Sequence, residues 1–169
     1  AGNLDLLIFS DFNYGCLPQE LVEKIISIAK KHRIMLVADS QSSSQIGNIA
    51  RYKNMNLITP TEKEARLSMR NNQAGLIVLL QELYSDAKPE NTILKLGADG
   101  ILIFSRNKDE FSTDKLTAFD DNPVDVAGAG DSLLVVASLV TALGGSIWES
   151  AFLGSIASAV QVSKVGNSP

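Results

Sequence analysis

Short apolar runs alternate with stretches of helical periodicity as far as residue 97, and that alternation restricts the chain to an α/β architecture. Residues 4–10, "LDLLIFS", form a continuous apolar run ending at a polar turn, as expected of a strand covered on both faces. Residues 18–32 follow with proline at their start, and Leu21, Val22, Ile25, Ile26 and Ile28 recur near helical period. Residues 33–40 read as the next strand, ending in a carboxylate, and 55–60 as a third, stopped by Pro60. A helix over 61–69 opens on Thr61 with Glu64 three residues on, a capping-box signature. Residues 74–86 read as a helix and 91–97 as a strand, after which Gly100 turns the chain into a hairpin partner over 101–105. The polar stretch 105–114 reads as a solvated hairpin loop and 115–119 as a further strand. Helices follow over 128–143 and 147–164, separated by Gly144 and Gly145.

The expected fold is a mostly parallel sheet with helices on both faces, in one domain over residues 1–169. Ligands of such sheets bind beyond the carboxyl ends of the strands. There the polar residues Ser10, Asp11, Asp39, Ser40, Thr59, Thr61 and Lys95 should converge. With 45% apolar and 20% charged residues the composition is that of a soluble globular protein. A net charge of −4 argues against a nucleic-acid binder. The one basic cluster, Lys30, Lys31, His32 and Arg33, ends a helical pattern, where cations complement the helix dipole. The single cysteine, Cys16, excludes an internal disulfide and fits a reducing cytosol. Nothing orients His32 as a base for Cys16, and one of each leaves no zinc set of the usual kind. No apolar run reaches membrane-spanning length and the start lacks the basic residues of a signal peptide, so the expectation is a cytoplasmic protein with no membrane contact.

The stretch most suited to chemistry is 123–140, "PVDVAGAGDSLLVVASLV". Gly128 and Gly130 permit backbone conformations and close approaches closed to other residues. At the first turn of an apolar helix, the amides of residues 127–131 face outward with the positive end of the dipole, which makes an anion site. The structural alternative is a glycine-containing helix entry with Asp131 as a first-turn acid. A carboxylate there would repel a merely bound phosphate. It suits a loop that stabilises a transferring phosphoryl group while the acid accepts a proton from the attacking hydroxyl. No Lys-Ser/Thr follows the glycines, so the loop is not a Walker P-loop. Nor does a Gly-x-Gly-x-x-Gly turn near the first strand support a dinucleotide-dependent oxidoreductase.

These residues resemble the ribokinase-like (PfkB-type) carbohydrate kinases. Asp125, Val126, Ala127, Gly128, Ala129, Gly130 and Asp131 match that family's Asp-Thr-x-Gly-Ala-Gly-Asp signature, with Val126 in place of threonine. The resemblance implies a three-layer α/β/α fold, with Asp131 as the base that deprotonates the acceptor hydroxyl. It implies that Ala127, Gly128, Ala129 and Gly130 hold the phosphoryl group. Thr61 and Glu64 look like the family's Asn-x-x-Glu segment, with threonine for asparagine, and Glu64 would organise magnesium through water. Residues 95–100, "KLGADG", are similar to the strand-turn over the nucleotide, which implies nucleotide contacts at Lys95, Gly97 and Gly100.

Within the family, residues 4–17 and 164–168, "KVGNS", look like segments of the kinase domain of the ADP-heptose synthases. Tyr14 and Gln41 stand where that subgroup carries lysines, which argues against a phosphorylated heptose as acceptor. ATP and Mg2+ are the implied cofactors, with a monovalent cation near Asp125 and a homodimer as the implied assembly. The likeness covers the later part of the family's domain; the N-terminal strands, the Gly-Gly sugar segment, the β lid and a last helix have no counterpart in these residues. That gap leaves a second hypothesis, a non-catalytic nucleotide-binding or regulatory module on the same fold. The bland readings stand beside these. Asp11 and Asp39 also suit turns or caps, the Ser42, Ser43 and Ser44 run a loop, and Trp148 with Phe152 a core helix face rather than a stacking platform.

Overall fold

The computed structural model describes residues 4–42, 45–107, 110–120, 124–163 and 165. Ser43 and Ser44 of the serine run, and Lys164, Gly166, Asn167 and Ser168 of the terminal segment, lie outside the described residues. Six strands form one sheet in the order β1-β2-β3-β4-β5-β6. They are β1 (Leu6–Asp11), β2 (Met35–Ser40), β3 (Leu57–Ile58), β4 (Asn91–Lys95), β5 (Ile101–Asn107) and β6 (Glu110–Leu116). The pairs β1/β2, β2/β3 and β3/β4 are parallel and β5/β6 is antiparallel. The helices are α1 (Gln19–Lys31), α2 (Glu62–Met69), α3 (Leu76–Ala87), α4 (Ala129–Ala142) and α5 (Ile147–Val162). No helix among the described residues is long and apolar enough to cross a membrane.

The chain gathers into two compact units, 1–92 and 93–169, with the division inside β4. In the first, Phe9, Leu36, Val37, Ala38, Leu57 and Ile58 are buried strand residues, and Val22, Ile26 and Ala29 form the buried stripe of α1. Pro18 sits in extended conformation as the N-cap of α1, so the helix begins at Gln19, one residue after the expected start. The third strand is shorter than the expected 55–60, because only Leu57 and Ile58 pair before Pro60. Thr61 caps α2 through the reciprocal capping box with Glu64.

In the second unit, Ile93, Leu94, Ile101, Leu102, Ile103 and Phe104 supply buried strand residues, and Leu133, Leu134, Ala137 and Ala151 the helical side. The expected solvated loop over 105–114 is instead two hairpin arms, with Ser105 opposite Ser112 and Asn107 opposite Glu110. Residues 115–119 are not a separate strand; β6 ends at Leu116. β6 is exposed along nearly its whole length, so its polar residues carry no apolar alternation to mark a strand. Small residues set the α4/α5 contact: a Cβ on Gly154 would lie 3.1 Å from the Leu133 carbonyl and 3.3 Å from Ala137 Cβ. That close approach turns the bulky side chains outward. Trp148 and Phe152 are 37% and 45% exposed, which corrects their expected place in the core.

Gly100 closes the turn after β4 at φ +86°, and a Cβ there would stand 2.0 Å from the Leu116 carbonyl oxygen. Gly97, at φ +62°, faces open space. Gly100→Ala should therefore cost about 2–4 kcal/mol in urea unfolding, and Gly97→Ala only about 1 kcal/mol, the left-handed backbone penalty alone.

Candidate functional site

The glycine loop enters α4 through Gly128, which takes the left-handed conformation (φ 77°, ψ −4°) as N-cap. The Val162 carbonyl, at the end of α5, accepts from both the Val124 amide (2.8 Å) and the Asp125 amide (3.1 Å). Gln161 Nε2 donates to the Ala127 carbonyl at 3.2 Å. The loop is thus held from outside itself before the helix begins.

Not every amide of the loop is open. Ala127 N–H donates to Asp125 Oδ1 at 2.9 Å, and Ala129 N–H faces the Val126 carbonyl at 3.4 Å. This corrects the expectation that all amides of 127–131 face outward, because the Asp125 side chain closes a local turn on Ala127. Gly128 and Gly130 amides have no acceptor among the described residues. Asp131 is half-buried in the first turn of α4, two positions past the helix start. Donor amides and a carboxylate on one helical turn can hold an anion and take a proton beside it.

Lys95 ends β4 in the same unit, half-buried, with its Nζ 3.3 Å from where a Cβ on Gly130 would lie. Gly97 is exposed at the turn, whereas Gly100 is buried, and the backbone against it accounts for its identity without any ligand.

Thr61 and Glu64 come together in the first unit. Thr61 N–H donates to Glu64 Oε2 at 2.7 Å and Glu64 N–H to Thr61 Oγ1 at 3.2 Å. Glu64 Oε1 also accepts the Ser42 amide at 3.0 Å, and Glu64 is buried. Each carboxylate oxygen therefore holds one backbone amide. Among the described residues, no group of three or more His, Cys, Asp or Glu is placed to hold a metal. Glu64 fits an outer-sphere role, with the second lone pair of an oxygen accepting from a metal-bound water. Among the described residues it heads no direct ligand set.

The sequence left the use of Asp11 open between a turn and a site. In the structure Asp11 is buried, accepting from Tyr52 Oη at 2.7 Å and Asn13 N–H at 2.9 Å, with Arg51 Nη2 at 3.4 Å. Arg51 also donates to the Leu17 carbonyl. Asn13, at φ 60°, reaches the Gln41 carbonyl (2.6 Å) and Ser40 Oγ (3.1 Å). These bonds make Asp11 the anchor of the turn after β1. Tyr52 and Arg51 lie some forty positions away, and no local spacing announces them. Asp39 is buried at the end of β2, across from Ser10.

A family profile described as "pfkB family carbohydrate kinase" matches residues 1–169. The bifunctional protein HldE of Desulfatibacillum aliphaticivorans is 32% identical over 165 residues, covering 96% of this chain and 32% of that protein. Phosphofructokinase-2 from Escherichia coli in complex with potassium superposes with a TM-score of 0.79 at 20% identity, over 95% of this chain and 52% of that one. Arabidopsis thaliana ribokinase complexed with ribose and ATP gives 0.77 at 17%, over 96% and 51%. The chain spans about a third of the length of the curated relatives and about half of the solved structures it matches.

Burial, and then the hydrogen bond to Asp11, push the Tyr52 hydroxyl above its ordinary range. A folded-state value above the unfolded one gives stability that is complete below about pH 10 and is lost as pH rises past it. Tyr52→Phe should lower the unfolding free energy at neutral pH by about 1–2 kcal/mol. It should also lose less stability than wild type between about pH 10 and pH 12, as read by urea unfolding across that range.

Proposed function

The chain belongs to the pfkB family of carbohydrate kinases, and from that premise we propose that it transfers the γ-phosphoryl group of ATP to a hydroxyl of a sugar or sugar-like alcohol. The observation that supports this reading best is the glycine loop: two amides without an acceptor among the described residues at the head of α4, with Asp131 on the same turn. In the reaction, Asp131 takes the proton of the acceptor hydroxyl as its oxygen bonds to the γ-phosphorus. The bond from that phosphorus to the bridging oxygen breaks, and ADP leaves. The amides of Gly128 and Gly130 donate to the phosphoryl oxygens, where negative charge is spread in the transition state. Ala129 shapes the turn, and Ala127, its amide held by Asp125, contributes backbone position rather than a donor.

Lys95, Gly97 and Gly100 would flank the nucleotide, and Thr61, as the cap that sets Glu64, would act on it indirectly. Magnesium, when bound with the nucleotide, supplies charge neutralisation on the phosphates. Glu64 would accept from one of its waters. A monovalent cation near Asp125 would steady the entry to the loop. Tyr14 and Gln41, neither of them cationic, count against a phosphorylated heptose as the acceptor.

Asp131→Asn tests the assignment. Turnover should fall by about 10²–10⁴-fold while ATP affinity, read by calorimetry, survives. Unchanged turnover would remove Asp131 from the base role. Saturable ATP binding by wild type, with no turnover on any sugar tried, would favour a nucleotide-binding module instead.

A further inference from the structure

Resting on the kinase reading and on the magnesium role it gives to Glu64, we propose that Asn13 is a positioning residue for Glu64, acting through the one peptide unit between Gln41 and Ser42. Both ends of that unit are bonded. Its carbonyl, from Gln41, accepts from Asn13 Nδ2 at 2.6 Å, and its N–H, from Ser42, donates to Glu64 Oε1 at 3.0 Å. A peptide unit is planar and stiff, so a group that fixes the direction of its carbonyl also fixes the direction of its N–H. The capping box accounts for Glu64 as part of a helix start, but it accounts for neither of these two bonds.

Glu64 gains a second hold by this route. The Thr61 N–H fixes Oε2 from within α2's own cap, and the Ser42 N–H fixes Oε1 from the loop after β2. With both in place the plane of the buried carboxylate is set, and its remaining lone pairs have fixed directions, as a group accepting from a metal-bound water requires. The Asn13 end is held in turn. Asn13 N–H donates to Asp11 Oδ1 at 2.9 Å, and its side-chain amide also reaches Ser40 Oγ at 3.1 Å. Gln41 N–H donates to the Asp11 carbonyl at 2.9 Å, and Gly47 N–H to Ser42 Oγ at 2.9 Å. Gly47 is buried against the same atoms: a Cβ there would lie 2.5 Å from Asn13 Nδ2 and 2.8 Å from the Gln41 carbonyl oxygen. That fit leaves the peptide little room to turn. Hydrogen bonds in series also polarise one another, so the Asn13 donor strengthens the Ser42 N–H as a donor to the carboxylate.

The experiment titrates wild type, Asn13→Gly, Asn13→Asp, Glu64→Gln and the double variant Asn13→Gly/Glu64→Gln with ATP, with and without magnesium, by calorimetry. Asn13 stands at φ 60°, so glycine removes the donor without backbone strain. Aspartate keeps the shape but turns the donor into an acceptor, and it guards against a Gly variant that fails to fold. Magnesium should tighten ATP binding by wild type about tenfold. Either Asn13 variant should shrink that gain to about twofold and leave the metal-free affinity within about twofold. In the Glu64→Gln background, Asn13→Gly should shrink the gain no further, because its effect passes through that carboxylate. Amide hydrogen exchange without any ligand should show Ser42 exchanging about tenfold faster in Asn13→Gly. Unchanged Ser42 exchange, an undiminished magnesium gain, equal loss with and without magnesium, or a further loss in the double variant would each overturn the proposal. Wild type that binds ATP with no gain from magnesium would overturn it together with the role of Glu64. Wild type that binds no ATP at all would overturn the kinase reading itself, a different result from any of these.

Discussion

One carbonyl, that of Val162, receives two amides, from Val124 and Asp125, and the shape of the glycine loop follows from it. With the loop fixed there and at Gln161, the chain must rise into α4 through a residue at positive φ, and only glycine does so at no steric cost. Asp125 then spends one oxygen on the Ala127 amide, so the amides left to a ligand are those of the two glycines. Helix α5 is therefore part of the site's support although it offers the site none of these donors. Its packing on α4 through Gly154, Ala151 and Ala137 keeps the two helices close enough for the clamp to hold.

The first unit shows the complementary use of carboxylates. Asp11 and Glu64 are both buried; Asp11 is satisfied by an amide, a hydroxyl and a cation, and Glu64 by two backbone amides. Asp11 orders the turn after β1, and Glu64 joins the start of α2 to Ser42 after β2. In each case a charge on the edge where α/β sheets bind ligands first stabilises the loops of that edge. Asp131 lies in the first turn of α4 and is half-buried, an exposure compatible with the base role proposed for it.

Features set by neighbours in the chain were legible in the sequence. The Thr61 and Glu64 capping box, the helix entry at Gly128 and the break at Gly144 each have a local pattern, and each stands where that pattern places it. Features set by distant contacts were not. β6 is an exposed edge strand whose polar residues look like a loop, so the hairpin arms were hidden. Trp148 and Phe152 have the spacing of a buried face, but the small residues of α5 took that place against α4. The Val162 clamp and the Tyr52 and Arg51 contacts to Asp11 join residues tens of positions apart, and composition or periodicity carries no trace of them. The candidate site residues were read from family likeness, not from composition or periodicity. What the structure adds is which atoms remain available, and Ala127 shows the difference.

The central claim is that the amides of Gly128 and Gly130 receive the phosphoryl oxygens. The most direct test is a proton–nitrogen correlation spectrum of the protein during titration with ATP and magnesium. The account requires the resonances of these two glycine amides to move in a saturable way, and further than those of Ala127, whose amide Asp125 already holds. Saturable ATP binding that leaves both glycine resonances in place would contradict it.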